Sequence, residues 1–195
     1  MNIPLRFSAL TLALVALLLI GCATRPQNIL LDPPVKVAPS SVGNGKIVWV
    51  RVKDTRLTKT LGVVGDLQGR YSHVSIDDDF SNTVYQRVSA ALRDLGFKAQ
   101  PTPGPDEREL VIEVRDMKYQ SVKQGLAFET ETSVEIAALA RTGGDRYERL
   151  YRAGERQTNA LLPDERARAE TVNRAVAATL EDMLADSRLI ALLVK

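Results

Sequence analysis

The chain of 195 residues has one cysteine, one histidine and one tryptophan, and its charges nearly cancel. A single cysteine excludes an internal disulfide, a zinc site of paired cysteines and an iron–sulfur cluster. A single histidine leaves little material for a histidine-rich metal site. With 26 Lys and Arg against 24 Asp and Glu, the composition gives no support for nucleic-acid binding by phosphate neutralisation. We therefore expect no metal, no other cofactor and no nucleic-acid partner.

The sequence also lacks an apolar run of membrane-spanning length. Its longest run, residues 9–20, is apolar except for Thr11. As a helix this run would be about 18 Å long, against about 30 Å for the hydrocarbon core of a bilayer. The run follows the basic residue Arg6, which is the arrangement of a secretory signal peptide. We predict that residues 1–21 are a signal peptide.

The end of this segment, Leu19, Ile20, Gly21 and Cys22, resembles a bacterial lipobox. The thiol of Cys22 can accept an S-diacylglycerol group, and cleavage before it frees an amine for an N-acyl chain such as palmitate. One acyl chain holds a protein on a membrane only marginally, whereas two or three hold it stably. The alternative is an ordinary signal peptide followed by a chance cysteine. Because Ala23 and not Asp follows the cysteine, the sorting pattern of Gram-negative lipoproteins favours the outer membrane, facing the periplasm.

Residues 22–45 are rich in proline and glycine. Proline removes backbone donors and disfavours helix, so we predict a lipidated, semi-rigid tether that holds a periplasmic domain, residues 46–195, off the membrane. The apolar residues 29–31, Val35 and Val37 leave a second interpretation open, in which part of the tether packs on the domain as an edge strand.

Hydrophobic periodicity predicts the first elements of the domain. The β-branched run 47–52 indicates a buried strand. Apolar residues at helical spacing indicate a helix from Phe80 to Leu95, with Asp79 as its N-terminal cap and Gly96 as its stop. The remaining segments of this half are a loop or hairpin over 61–76, a loop over 100–105 and a strand over 110–115.

A long alternating run, residues 126–140, predicts a half-buried strand that ends in a tight turn at Gly143 and Gly144. The turn sets the register of a hairpin. The same register places Arg149 opposite Ala138 on the core face, where a charged residue does not fit the apolar pattern. The predicted cross-strand pairs are Ile136–Tyr151 and Ala140–Tyr147 on the core side, with Glu135–Arg152 and Glu131–Arg156 on the outer side.

The chain ends in helical patterns. Pro163 and Asp164 open a long helix, and Asp186 with Ser187 can cap a final short element. The apolar stripe that we expect the long helix to bury is Val172, Val176, Leu180, Met183 and Leu184. The side that we expect to face solvent carries Arg166, Arg168, Glu170, Arg174 and Glu181. The order of elements predicts an α+β fold: a two-layer sandwich with a mainly antiparallel sheet and two main helices on one face.

The chain resembles the YajG family of small Gram-negative lipoproteins. The resemblance rests on the L-I-G-C lipobox, the proline-rich tether, the strand V-W-V-R-V-K-D-T-R, the strand F-E-T-E-T-S-V-E-I-A and the terminal helix. It covers almost the whole mature chain, and Asp54, Arg56 and Asn173 are its distinctive polar positions. The family has no settled biochemical activity, so the resemblance implies location and fold more than mechanism.

No sequence pattern marks a catalytic or metal site. His73 has Ser72 and Asp77 nearby, but no G-x-S-x-G elbow occurs, and we interpret it as a loop histidine. Asp77–Asp79 lack the spacing of a calcium loop and are interpreted as helix-start acids. Residues 43–46 precede a strand, whereas a phosphate-binding loop follows one. We expect no catalytic residue.

Asp54 and Arg56 are the strongest candidates for a site. Their spacing puts both side chains on one face if the strand continues. They either pair to hold the following loop or form a small polar patch for a partner or glycan. The basic residues of the hairpin are interpreted as a solvated face because neighbouring glutamates balance them; they are Arg141, Arg146, Arg149, Arg152 and Arg156.

Together these features favour a membrane-anchored lipoprotein with a non-catalytic interaction or assembly domain. Its partner would be an envelope protein or a second copy of the chain. Two alternatives stay open: an envelope factor that binds lipid or glycan, and a hydrolase, which is the less favoured.

Overall fold

The computed structural model describes residues 27–103 and 107–195, so the predicted signal peptide and lipobox lie outside the described residues. The described chain contains eight strands and three helices. The strands are β1 (Gln27–Ile29), β2 (Ile47–Asp54), β3 (Thr60–Gly65), β4 (Tyr71–Ile76), β5 (Lys98–Gln100), β6 (Glu109–Gln124), β7 (Ala127–Thr142) and β8 (Asp145–Asn159). The helices are α1 (Phe80–Asp94), α2 (Glu165–Ala185) and α3 (Ser187–Val194).

The eight strands form one sheet around β6. On one side of β6 lie β7 and then β8. On the other side, β2 pairs with the first part of β6, through residue pairs up to Asp54–Val114, and β3 pairs with the later part, through Val64 and Ser121. β4 and β1 extend the sheet beyond β3, and β5 extends it beyond β2.

The α+β class agrees with the prediction, but the sheet is mixed. Pairs β3–β4, β6–β7 and β7–β8 are antiparallel, whereas β1–β4, β2–β5, β2–β6 and β3–β6 are parallel. A parallel pair needs a crossover connection, and the connection from β2 to β5 includes α1, which packs on both strands. Alternation along a strand fixes which face is buried and not the direction of its neighbour, so the sequence did not predict the parallel pairs.

A β-bulge interrupts β6. Val114 pairs with Ile136 and Asp116 pairs with Glu135, which leaves Arg115 as an extra residue. The extra residue changes which residues face the core. The core-facing side chains of β6 are Leu110, Ile112 and Val114 before the bulge, and Met117 and Tyr119 after it.

The two predicted hairpin regions form hairpins. Residues 61–76 fold as β3 and β4, and all four predicted cross-strand pairs between β7 and β8 are present. Gly143 has a φ of 57°, a conformation that the turn needs and that glycine adopts without strain. The assignment of Leu126 to the buried face of β7 is wrong, because it lies in the turn between β6 and β7 and is exposed.

Helix boundaries agree with the sequence, but two details do not. Asp79 precedes α1 without a side-chain hydrogen bond to the helix backbone, so its predicted capping role is wrong. Asp164 does cap α2, accepting from the amide of Ala167 at 2.8 Å. Arg168 was expected on the solvent-exposed side of α2 but is buried. Its guanidinium turns back and donates to the carbonyl of Pro163 at 2.5 Å.

The segment expected to be a tether packs on the domain from Gln27 onwards, which is the second interpretation that the sequence left open. The side chain of Asn173 on α2 accepts from the amide of Asp32 at 2.6 Å and donates to the carbonyl of Leu30 at 3.1 Å. This distinctive asparagine therefore fastens the segment to the long helix. The apolar residues of the segment that pack into or against the core are Ile29, Leu31, Val35 and Val37.

One apolar core joins the sheet to the helices. α1 packs against β2 and β5, and α2 and α3 pack against β7 and β8. The largest fully buried side chains include Tyr119, Tyr151, Leu180 and Met183. In the described chain, every helix is too short or too polar to cross a bilayer.

Candidate functional site

β8 is a long edge strand, and its 15 residues pair only with β7 in the part of the chain that the structure describes. In an antiparallel ladder, alternate residues bond to the neighbouring strand and those between them direct N–H and C=O away from it. Thr142 and Asp145 flank a two-residue turn and so form a hydrogen-bonded pair. The odd-numbered residues of β8 therefore bond to β7. The even-numbered residues, among them Glu148, Leu150 and Arg152, present their backbone groups at the open edge.

The side chains of these even-numbered residues lie on the sheet face that points away from the helices. Arg146 pairs with Glu148 at 2.6 Å, and Arg152 pairs with Glu135 of β7 at 2.6 Å. Three of the four side chains are exposed and that of Glu135 is half-buried, so these pairs contribute little stability. Leu150 is half-buried between Glu148 and Arg152. The edge thus carries an acid, an apolar residue and a base in sequence.

On its core side, β8 is fastened to the helices by Asp186, the N-cap of α3. One carboxylate oxygen accepts from the hydroxyl of Tyr147 at 2.9 Å, the hydroxyl of Tyr151 at 2.7 Å and Nη1 of Arg149 at 2.9 Å. The other oxygen accepts from the amide of Arg188 at 2.9 Å. This contact explains why Arg149 can occupy the core face of the hairpin.

Protonation at this cluster suits a structural role. Burial alone would raise the pKa of Asp186, but hydrogen bonds from Tyr151, Tyr147 and Arg149 outweigh burial and hold the pKa well below its usual range. Burial, and then the hydrogen bond to Asp186, raise the pKa of Tyr151. At neutral pH an ionised carboxylate therefore accepts from the protonated hydroxyl of Tyr151, an arrangement that stabilises packing. Sequence reasoning found the cap and the misplaced arginine and placed both tyrosines on the core side, but it missed their hydrogen bonds to Asp186, which form only through tertiary packing.

The structure brings the predicted residues Asp54 and Arg56 together in a two-pronged ion pair. Nε of Arg56 donates to one carboxylate oxygen at 2.9 Å and Nη2 donates to the other at 3.0 Å. Lys59 adds a third donor at 2.5 Å. The guanidinium of Arg56 lies 5.0 Å from the ring centroid of Phe80 at the start of α1. The pair therefore closes the loop that follows β2 onto the domain.

Little of this pair is accessible to a partner, since only 3% of the Arg56 side chain is exposed. Burial alone would raise the pKa of Asp54, but the hydrogen bonds from Arg56 and Lys59 hold that pKa well below its usual range. A charged, hydrogen-bonded and largely buried pair of this kind holds a loop.

The other sequence candidates lie apart from one another. His73 is exposed on β4, and Asp77 accepts from the side chain of Asn28 on β1. The described residues contain no group of three or more Asp, Glu, His or Cys that could hold a metal ion. The amide of Gly43 donates to the carbonyl of Leu95 at 2.8 Å, so this turn caps the end of α1. The lipobox residues Leu19 to Cys22 lie outside the described residues.

The structure defines an α+β domain, and a family match over most of it assigns the chain to the lipoproteins. The profile of a family described as "Uncharacterized lipoprotein" matches residues 33–193. The chain therefore belongs to this YajG-type family of uncharacterised lipoproteins, as the sequence resemblance predicted.

Two solved structures align with the chain, and the first of them supports the fold alone. A crystal structure of an uncharacterized protein aligns with a TM-score of 0.52 and 14% identity, over 82% of this chain and 97% of that one. A putative neuraminyllactose-binding hemagglutinin homolog from Helicobacter pylori aligns with a TM-score of 0.46 and 7% identity, over 83% of this chain and 93% of that one. No curated protein matches the chain.

Proposed function

We propose that the chain is a lipoprotein anchored through acylated Cys22 in the outer membrane, facing the periplasm, and that its domain is a non-catalytic interaction module that binds through the open edge of β8. The observation that carries the proposal is this edge. A long strand with unpaired N–H and C=O groups is a template for pairing with another strand. The family membership supports the lipoprotein part of the proposal.

The occupant that the edge fits best is a second copy of the same strand. If two copies of β8 pair antiparallel about a two-fold axis at Leu150, Leu150 faces its own equivalent. Glu148 of each copy then faces Arg152 of the other, on both sides of the axis. Residues 148, 150 and 152 all present backbone groups at the edge, so this core would form about six N–H···O hydrogen bonds. Opposite charges facing each other across strands fix such a register.

Each of the four neighbouring registers has a like-charge contact. An axis at Glu148, Arg149 or Arg152 places that charged residue against its own equivalent. An axis at residue 151 places Arg146 against Arg156. Like charges directly opposite each other destabilise a strand pair, and the axis at Leu150 avoids all four of these clashes. In that register Asp145 of each copy faces Glu155 of the other, but these carboxylates are paired within the chain with Lys195 and Arg174, both at 2.8 Å.

Cysteine substitution in the full chain tests both the dimer and its register. Residues in a hydrogen-bonded pair have Cα atoms about 5.5 Å apart, within the range that a disulfide spans. We expect Leu150→Cys to give a covalent dimer under oxidising conditions. Glu148→Cys and Arg152→Cys should cross-link to each other when the two chains are co-expressed, but neither with itself.

The matched control is Thr158→Cys, on the same face and the same edge. In the proposed register its two copies would lie about 50 Å apart, so no dimer should form. Equal cross-linking of Leu150→Cys and Thr158→Cys would indicate random collision, and absence of a Leu150→Cys dimer would contradict self-pairing. The unsubstituted chain controls for a contribution from Cys22.

A charge exchange gives an independent test that does not depend on cross-linking geometry. Glu148→Arg alone and Arg152→Glu alone each create two like-charge contacts in the homodimer. Mixing the two variants restores both opposite-charge contacts in a heterodimer. We expect each variant to self-associate about tenfold more weakly than the unchanged chain, and the mixture to recover. If the mixture stays monomeric while both variants are folded, the register is wrong.

The anchor is tested separately by Cys22→Ser. We expect the unchanged chain to fractionate with outer membranes and to carry acyl chains by mass spectrometry, and the variant to be released into the soluble periplasmic fraction. An unmodified, freely diffusing wild-type chain would refute the lipoprotein part of the proposal and leave the β8 pairing to be judged by its own tests.

A further inference from the structure

Several large hydrophobic side chains are exposed at the tips of loops in this structure. Leu126 is 99% exposed, Leu161 79%, Leu67 62% and Tyr71 59%. Exposed leucines scattered singly over a surface need no explanation. The three leucines come from three separate loops and Tyr71 is the first residue of β4, so their position relative to one another decides whether they form a surface.

Strand pairing places all four at one end of the sheet. Leu126 lies in the turn after β6, and Leu161 follows β8, whose last residue pairs with Phe128 beside that turn. β3 runs parallel to β6, with Val64 beside Ser121. The turn after β3, which carries Leu67 and leads into Tyr71, therefore lies at the same end. We call Leu67, Tyr71, Leu126 and Leu161 the leucine end.

The first described strand starts on the side of this same end. β1 is parallel to β4, with Gln27 beside Val74 and Ile29 beside Ile76. Tyr71 begins β4 at the leucine end, so β1 also runs away from that end, and Gln27 is its residue nearest to it. Gln27 lies three residues, or about 10 Å, below the level of Tyr71.

The distance to the anchor is short. Cys22 precedes Gln27 by about five residues, which span at most about 17 Å when fully extended. About 10 Å of this reach is needed to bring the chain level with Tyr71. An acylated Cys22 could therefore stand only about 7 Å beyond the leucine end, which is comparable with the depth of the headgroup region.

From this geometry we infer that the leucine end is a membrane-contacting surface, and that Leu67, Leu126 and Leu161 insert into the interfacial layer of the bilayer that holds the anchor. The inference rests on the proposed acylation of Cys22. Tyr71 is suited to the same layer, because its ring is apolar and its hydroxyl can stay hydrated. Lys123, which precedes the turn after β6 and is exposed, can contact a lipid phosphate, whereas Arg70 beside the other turn is paired with Asp66 at 2.6 Å. The domain would stand end-on, with its sheet axis along the membrane normal and the opposite end, with Trp49, farthest from the lipid.

Tryptophan depth measurements on the full acylated chain test the inference. The chain would be reconstituted in vesicles of phosphatidylethanolamine and phosphatidylglycerol containing lipids brominated on the acyl chains. We expect the added fluorescence of Leu126→Trp to shift to the blue and to fall about twofold on bromination, as for a side chain at the headgroup–acyl boundary. The native Trp49 lies about 50 Å away, at the start of the β2–β6 pairing, and gives an unquenched baseline.

Leu57→Trp is the matched control, because Leu57 is fully exposed in the loop after β2, away from the leucine end. We expect its emission to resemble that of a tryptophan in water, with no quenching. Equal emission and equal quenching of Leu126→Trp and Leu57→Trp in an acylated chain would overturn the inference and leave the anchor intact. If mass spectrometry finds no acyl chain, the proposed anchor fails, and the leucine end is then tested in the Cys22→Ser chain carrying Leu126→Trp. Quenching of that tryptophan on added vesicles supports membrane contact by the leucine end, and no quenching overturns it.

Discussion

Replacing Asp186 by alanine is the most informative single perturbation of the fold. Asp186 is buried at the junction of α2 and α3 and accepts hydrogen bonds from two tyrosine hydroxyls, one guanidinium and the backbone at the start of α3. The substitution removes all of these at once. Tyr151, which is buried, would be left without an acceptor, whereas exposed Arg149 would find water.

The expected loss of stability follows from two parts. Losing an N-cap costs about 1 kcal/mol, and leaving a buried hydroxyl unsatisfied costs about 1–3 kcal/mol. The half-buried Tyr147 and the exposed Arg149 add little. We therefore expect Asp186→Ala to lower the free energy of unfolding by about 2–4 kcal/mol. For a domain of this size that corresponds to a fall in Tm of about 5–15 °C.

Urea unfolding of the Cys22→Ser chain, followed by circular dichroism, measures this loss. The matched control is Asp164→Ala, which also removes an N-cap aspartate but one whose side chain accepts only from the amide of Ala167 at 2.8 Å. The control should cost about 1 kcal/mol. Equal losses for the two variants would refute the claim that the tyrosine contacts stabilise the edge strand.

Asp186 also predicts a pH dependence of the stability. The pKa of Asp186 is lowered in the folded chain, so its ionised form is favoured by folding. Its contribution is complete above the unfolded pKa, about 3.9, and is lost as pH falls through the lower folded pKa. We expect the gap in stability between the unchanged chain and Asp186→Asn to shrink as pH is lowered below about 4, whereas an unchanged gap would contradict this assignment.

Two further predictions concern other parts of the fold. Asp54→Ala should destabilise the domain by about 3–5 kcal/mol because it leaves the buried guanidinium of Arg56 without its carboxylate; urea unfolding measures this, and a loss below about 1 kcal/mol would show that the pair holds nothing. Gly62→Ala should lower the free energy of unfolding by at least about 2 kcal/mol, because φ is 154° and an added Cβ would lie 2.3 Å from the carbonyl oxygen of Tyr119. Its control is Gly125→Ala, with φ of 62° and open space around it, which should lower that free energy by only about 1 kcal/mol. Similar Tm values for the two variants would contradict this difference.

The sequence predicted the register of the β7–β8 hairpin, because two-residue alternation and a Gly-Gly turn are both local signals. Glu135 opposite Arg152 and Ile136 opposite Tyr151 follow from the turn position alone. The long helix and the cap at Asp164 were predictable for the same reason. Each of these features depends on residues that are close together along the chain.

Features that depend on distant segments were either not predicted or left open. The parallel pairs of β2 with β5 and β6 arise from how the chain returns after α1, which no local pattern encodes. The sequence left open whether the segment that begins at Gln27 packs on the domain, because one of its contacts is made by Asn173, about 140 residues away, which holds the backbone on both sides of Leu31. The candidate site divides in the same way: Asp54 and Arg56 are neighbours and could be paired from their spacing, whereas the contacts of Asp186 with Tyr147 and Tyr151 required the tertiary fold.

The extra residue at Arg115 bears on how the longest pair of strands finds its alignment. A repeating two-residue pattern lets long strands slip by two positions without exposing a single apolar side chain. The bulge removes this freedom, because β6 buries even-numbered residues in the core before Arg115 and odd-numbered residues after it. Any slipped alignment would place the bulge opposite a different part of β7. One stretch of β6 would then direct its apolar side chains to solvent. The bulge thus permits one alignment of β6 with β7, and deleting Arg115 should yield a hairpin with several competing alignments.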